Sequence, residues 1–154
     1  MPDPWGSTNF MPPTFVPGQD LFILTARETC ATYVPEKPAD APGQSNFGGT
    51  VLIDAEQGSG ALRALDIHTG DLVWEFSYPS PTFGGVLSTA SGLVFAGDHE
   101  GNFMAFDSKD GRNLWHYQTG SRIWGAAAMT FMLDQRQLVL IPSGTTLTAF
   151  ALPD

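Results

Sequence analysis

The sequence predicts an all-β protein built as about three four-stranded blades of a β-propeller, and two observations carry that expectation. Seventeen glycines and twelve prolines cut the 154 residues into short apolar runs, and nowhere do apolar residues keep a helical spacing through a window of about 11 residues. The second observation is a repeat. "GALRALDIHTGDLVWEFSY", from Gly60 to Tyr78, is echoed 41 residues later by "GNFMAFDSKDGRNLWHYQT", with Gly60 and Gly101, Ala64 and Ala105, Asp66 and Asp107, Gly70 and Gly111, and Trp74 and Trp115 in register. Four short strands in each such interval is the arithmetic of a propeller blade, whose repeats run roughly 40 to 50 residues.

Each strand is bounded by turn chemistry. Thr14 to Val16 and Asp20 to Ala26 flank "PGQD"; Ala61 to Asp66 and Leu72 to Tyr78 flank "HTGD"; Gly84 to Thr89 and Leu93 to Gly97 flank "ASG". "DHEG" then leads to Phe103 to Asp107, "SKDG" to Asn113 to Gln118, and "LDQR" joins Gly125 to Phe131 with Gln137 to Ile141, before Leu147 to Leu152. Gly and Asp in these places supply positive φ and side-chain-to-backbone hydrogen bonds, which close tight hairpins. The stretch "PEKPADAPGQSNFGG", 35–49, is too rich in Pro, Gly and polar residues for regular structure and is expected to be an irregular insertion between strands. The whole chain, 1–154, is thus expected to form one partial propeller with repeat units at about 60–100 and 101–141. In each unit the pattern is one strand, an Asp/Gly hairpin, then a strand presenting an indole. An indole buries about 200 Å², so packing of Trp74 and Trp115 between neighbouring blades explains their period. Neither Trp is followed by Asp, and the Gly-His opening of WD-type repeats is missing.

Composition narrows the function. Sixteen acidic residues against seven basic ones leave a net charge of −9, with the cations scattered, so nucleic acid is not an expected partner. No apolar run reaches the roughly 20 residues that span a bilayer, and "MPDPWGSTNF" has neither the basic nor the apolar part of a signal peptide. The single Cys30 has no internal partner for a disulfide and is expected to be buried and inert. His68, His99 and His116 lack ligand spacing, so no metal site is expected among them. There is no CxxCH haem motif, no nucleophile elbow and no phosphate loop.

"ALDIHTGDLVW" and "AFDSKDGRNLW" resemble the tryptophan-docking repeats of pyrroloquinoline quinone (PQQ) propellers. "STNFMPPTFVPGQDLFILTARETCATY", "GALRALDIHTGDLVWEFSYPSPTFGGVLSTASGLVFAGDHEGNFMAFDSKDG" and "LWHYQTGS" together are similar to the carboxy-terminal part of PQQ-dependent alcohol dehydrogenases of the methanol and ethanol type. The resemblance runs over nearly the whole chain. It implies a periplasmic enzyme with eight four-stranded blades and with PQQ and Ca²⁺ at the centre of one face. There a carboxylate base takes the alcohol proton and the reduced quinone passes electrons to a cytochrome c.

In that family the catalytic Asp, the Ca²⁺ ligands, the basic residue near the quinone oxygens and the vicinal disulfide lie in earlier blades. The expectation is therefore that this chain holds no catalytic residue and no metal ligand. It would act as one segment of the enzyme, inactive alone, whose partners are the missing amino-terminal blades or a second copy of itself. Asp3 and Asp66 offer carboxylates, but Asp66 is a hairpin residue duplicated by Asp107. Three positions carry over toward PQQ. Asn9 in "STNFMPP" stands where the family places an Asn whose amide bonds the cofactor, although an Asn there can equally close a loop on its own backbone. Phe83 in "PTFGGVL" stands where the family more often has Trp at the cofactor rim; it keeps an apolar wall without the indole N–H. Trp124, 41 residues after Phe83, is its repeat equivalent, with channel lining and ordinary packing both open. The Gly-rich last loop of the family is shortened here to "PSGTTLTAF", and no cytochrome domain is expected after "AFALPD". The alternative is a non-catalytic propeller scaffold that binds other proteins.

Overall fold

The computed structural model describes residues 1–36, 48–53 and 58–151. Thirteen strands follow one another in the described residues: β1 (Thr14–Val16), β2 (Leu21–Glu28), β3 (Ala31–Pro35), β4 (Gly49–Ile53), β5 (Ser59–Asp66), β6 (Leu72–Tyr78), β7 (Val86–Ser88), β8 (Leu93–Gly97), β9 (Asn102–Asp107), β10 (Asn113–Gln118), β11 (Met129–Leu133), β12 (Arg136–Ser143) and β13 (Thr146–Ala151). They form two four-stranded sheets, β1-β2-β5-β6 and β10-β9-β8-β7, a three-stranded sheet, β11-β12-β13, and a separate ribbon, β3-β4. All strand pairs are antiparallel. The chain is an all-β propeller arc, and the 41-residue repeat runs out of phase with its sheets, from the third strand of one sheet to the second strand of the next.

Three expectations change in detail. Pro35 and Gly49, the ends of the expected irregular insertion, are paired with each other in the β3-β4 ribbon, because a β-branched and aromatic run, "ATYVP", meets "GTVLI" across it. The interior of that insertion, 37–47, lies outside the described residues. The strands expected to start at Gly84 and Gly125 start later, at Val86 and Met129, since the residues before them pair between sheets instead. Cys30 is exposed rather than buried, because it lies at the foot of the ribbon, bridged to Pro2.

Side-chain alternation builds the core between successive sheets. In the second sheet Val86, Val94, Ala96, Met104 and Phe106 face one side and join Ile23, Leu62, Ala64, Trp74 and Tyr78 of the first sheet. Leu87, Phe95 and Phe103 face the other side and join Ile123, Val139 and Ile141. This is the period-2 consequence of a strand buried on both faces. The Asp/Gly hairpins shape both the turns and the contact. Asp66 Oδ1 accepts hydrogen bonds from the backbone N–H of His68 and Thr69 at 2.8 and 2.9 Å, and Asp107 Oδ1 accepts one from Lys109 at 2.9 Å. Trp74 of β6 then lies on the β9-β10 turn of the next sheet. Its Nε1–H donates to Ser108 O at 2.9 Å, and its six-membered ring is seated against Gly111, where a Cβ would collide with it. Gly111 has φ 69°, so both its conformation and its surface require the missing side chain.

Trp115 departs from this pattern. It is 40% exposed against 8% for Trp74, and it packs edge-on against Phe150 of β13, ring centroids 5.2 Å apart. Both indoles therefore reach the neighbouring sheet, Trp74 buried on its turn and Trp115 half-exposed against Phe150.

Candidate functional site

Just before β1, β7 and β11, the chain segments entering the three sheets come together. Val86 N donates to Pro12 O at 2.8 Å, Gly85 N to Ala126 O at 2.8 Å and Gly125 N to Phe83 O at 3.1 Å. Phe83 and Trp124 thereby form a parallel bridge. The approach is possible because Gly85 has no side chain: a Cβ there would stand 2.8 Å from both Ala127 and Pro12. Thr25 of β2 anchors the first sheet to the same place, its hydroxyl donating to Gly84 O at 2.7 Å.

Four aromatic rings gather at this junction. Phe83 and Trp124 are 4.3 Å apart at a tilt of 33°. Phe10 stacks on Phe83 at 5.9 Å, and Trp5 meets it edge-on at 6.0 Å. Two cations lie over the rings. The Arg27 guanidinium carbon is 4.0 Å from the Phe83 centroid, and that of Arg122 is 4.9 Å from the Trp124 centroid. A cleft of about 340 Å³ opens here, lined by Trp5, Arg27, Phe83, His99, Arg122 and Trp124 together with Ile53, Ser80 and Pro81. No carboxylate is among its described lining residues.

Arg27 is held from behind. Its two terminal nitrogens donate to Asp3 Oδ1 at 3.3 Å and Asp3 Oδ2 at 2.9 Å, with both side chains buried. Asp3 also accepts from Trp5 N at 2.9 Å, so one carboxylate fixes the cation over Phe83 and the loop carrying Trp5. That leaves Asp3 occupied as an acceptor, and Asp66 is likewise occupied in its turn. The Asp66 carboxyl is held below its ordinary value of 3.8 by the backbone N–H groups of Thr69 and His68. Two buried polar atoms of cleft-lining residues, Arg27 Nε and His99 Nδ1, have no hydrogen-bond partner among the described residues.

Of the residues singled out from sequence, the structure brings Phe83 and Trp124 into ring contact and ties Asn9 to Trp5 of the cleft wall. Asn9 is not among the cleft-lining residues; its Nδ2–H donates to Trp5 O at 3.1 Å in an exposed loop. Trp5, Phe10, Arg27, His99 and Arg122 were not singled out as site residues. They sit on separate loops and strands without a shared spacing, and only the position of Arg122 two residues before Trp124 hinted at its place. Among the described residues, no group of three or more His, Cys, Asp or Glu stands close enough to hold a metal ion. A larger cleft of about 470 Å³ between the β1-β2 and β7-β8 turns carries no ionisable side chain.

The sequence and the fold match known proteins. A family model, PQQ_2, described as outer membrane protein assembly factor BamB, matches residues 34–152. The chain belongs to that family of PQQ-type propeller repeats. Among curated relatives, the chain is 35% identical over 141 residues to the quinoprotein alcohol dehydrogenase PedH of Pseudomonas putida, covering 90% of this chain and 24% of the relative. It is 33% identical over 143 residues to the lanthanide-dependent methanol dehydrogenase of Methylorubrum extorquens, covering 90% and 24%. Among solved structures, a europium-containing methanol dehydrogenase superposes with a TM-score of 0.84 at 31% identity, covering 93% of this chain and 26% of that one. BamB from Moraxella catarrhalis, at 16% identity and a TM-score of 0.50, shares the fold. The chain is homologous to PQQ-dependent alcohol dehydrogenases and spans about a quarter of the length of the curated relatives it matches.

Proposed function

We propose that this chain is the carboxy-terminal part of the propeller of a periplasmic PQQ-dependent alcohol dehydrogenase, supplying part of the wall of the quinone pocket and inactive by itself. The observation that carries this reading is the aromatic cleft at the junction of the three inner segments. PQQ is a planar aromatic quinone bearing carboxylates. The flat rings of Phe83 and Trp124 suit its plane, and the cations Arg27 and Arg122, with no carboxylate among the described lining residues, suit its charge. When bound, the quinone would accept the electrons of alcohol oxidation. Phe83 and Trp124 bind its plane. Asn9 serves as a positioning residue, tying the loop that carries Trp5 and Phe10. The base, the Ca²⁺ ligands and the cytochrome c contact are assigned to the rest of the enzyme.

The test joins this chain to the preceding blades of a quinoprotein relative. The chain alone, given PQQ, Ca²⁺ and an artificial electron acceptor, is expected to show no alcohol oxidation. The joined protein is expected to bind PQQ, with Phe83→Ala or Trp124→Ala each weakening binding roughly tenfold by removing a stacked ring. Turnover by the chain alone, or a joined protein that does not bind PQQ, would defeat the reading. The family description as BamB favours a second reading, a scaffold that binds other proteins without PQQ. Its signature is a joined protein whose ring substitutions leave PQQ titrations unchanged.

A further inference from the structure

We propose that Arg122 and His99 form a clamp for a carboxylate on the edge of a planar aromatic ligand lying against Trp124. The inference rests on the reading of the cleft given above and names the part of the ligand that this chain holds. Both groups flank one indole: the Arg122 guanidinium carbon is 4.9 Å from the Trp124 ring centroid, and the His99 ring is 5.7 Å from it at 58°. They come from different loops, His99 from the β8-β9 turn and Arg122 from the β10-β11 connection. Their meeting is a product of the fold.

The electrostatics favour an anion at this edge. Arg27 is committed to Asp3, whereas Arg122 makes no ion pair among the described residues. The carboxylates near it are engaged elsewhere. Asp98 accepts from the backbone and side-chain N–H of Asn102, both at 2.8 Å, and Glu100 accepts from the Ser80 hydroxyl at 2.7 Å. His99 stands in the same lining as Arg122 and Trp124, and among the described residues its Nδ1 has no hydrogen-bond partner. Stacked on the indole, the Arg122 guanidinium is already oriented, so less freedom is lost when it makes charge-assisted bonds to a carboxylate. The imidazole of His99, which lines the same cleft, would add a second nitrogen donor. An arginine without an ion pair among the described residues, set over an indole, thus favours a planar acid over a planar neutral molecule.

The full chain is titrated with PQQ and, separately, with phenanthrenequinone, a planar quinone lacking carboxylates, following tryptophan fluorescence. The expected result is that both bind, PQQ the tighter, and that Arg122→Gln weakens PQQ roughly tenfold while leaving phenanthrenequinone unchanged. Arg122→Lys, which keeps the charge, should recover part of the loss, and His99→Ala should weaken PQQ alone by a smaller factor. Trp124→Ala should weaken both probes. Arg122→Gln acting equally on both probes, or on neither, overturns the clamp and leaves the aromatic wall standing. Failure of both probes to bind overturns the clamp together with the reading of the cleft.

Discussion

Asp3 and Arg27 are 24 residues apart in sequence and form a buried, two-bond ion pair. Burial makes the pair sensitive to losing one member rather than strongly stabilising as a whole, because an orphaned buried charge retains its full desolvation cost. Asp3→Ala should therefore destabilise the chain by about 3 to 5 kcal/mol in denaturant titration, and it should loosen Arg27 from Phe83. Asp3→Ala together with Arg27→Leu should recover much of that loss. Asp66 offers a gentler test at the same scale. Its carboxyl is held below 3.8 by backbone N–H bonds from Thr69 and His68, so the charged form is favoured in the folded state. Its contribution is present above the unfolded carboxylate range and is lost as pH falls through the lower folded value. An NMR titration should find the Asp66 midpoint below 3.8, and Thr69→Pro, which removes one donor, should raise it.

At the scale of elements, the hairpin and the indole work as a pair across two sheets. The β9-β10 turn presents Ser108 O and the bare Gly111 surface, and β6 of the preceding sheet inserts Trp74 there. Trp74→Ala should cost about 3 to 5 kcal/mol by leaving a cavity in the core between the sheets. The same change at Trp115, 40% exposed, should cost no more than about 1.5 kcal/mol. Equal losses at the two positions would show that Trp115 is covered in solution. The turn residues were legible from sequence because Asp and Gly act through their own backbone within a few residues. The β3-β4 ribbon was not. Its strands are short and flank a Pro- and Gly-rich stretch, and their pairing depends on two distant segments meeting; Tyr33 and Pro2, joined at 3.0 Å, tie the ribbon to the amino-terminal segment.

Across the whole molecule, two inter-sheet cores are complete and one side of the arc is not. Every residue of β10 is exposed, and Trp115, Tyr117, Phe131, Met132 and Leu147 lie 40 to 63% open. The chain spans about a quarter of the length of the curated relatives it matches, and these open apolar side chains offer a surface for association. Alone, the chain should self-associate, with sedimentation coefficients that rise with concentration. Supplying the preceding blades in trans should yield a more soluble one-to-one complex. A compact monomer at all concentrations, indifferent to those blades, would mean that the arc is self-sufficient.

What the sequence determined by itself was local and periodic: the all-β class, the hairpins set by Asp and Gly, the 41-residue repeat, and the equivalence of Phe83 and Trp124. Each follows from chemistry that acts within a few residues or recurs at a fixed interval. The tertiary structure decided the rest. It tied Asn9 to Trp5 O, exposed Trp115, and drew Trp5, Arg27, His99 and Arg122 from four separate segments onto two aromatic rings. Nothing in their spacing announces that meeting, because it is made by backbone bonds from Val86 to Pro12 and from Gly85 to Ala126, residues that touch only after the sheets have stacked.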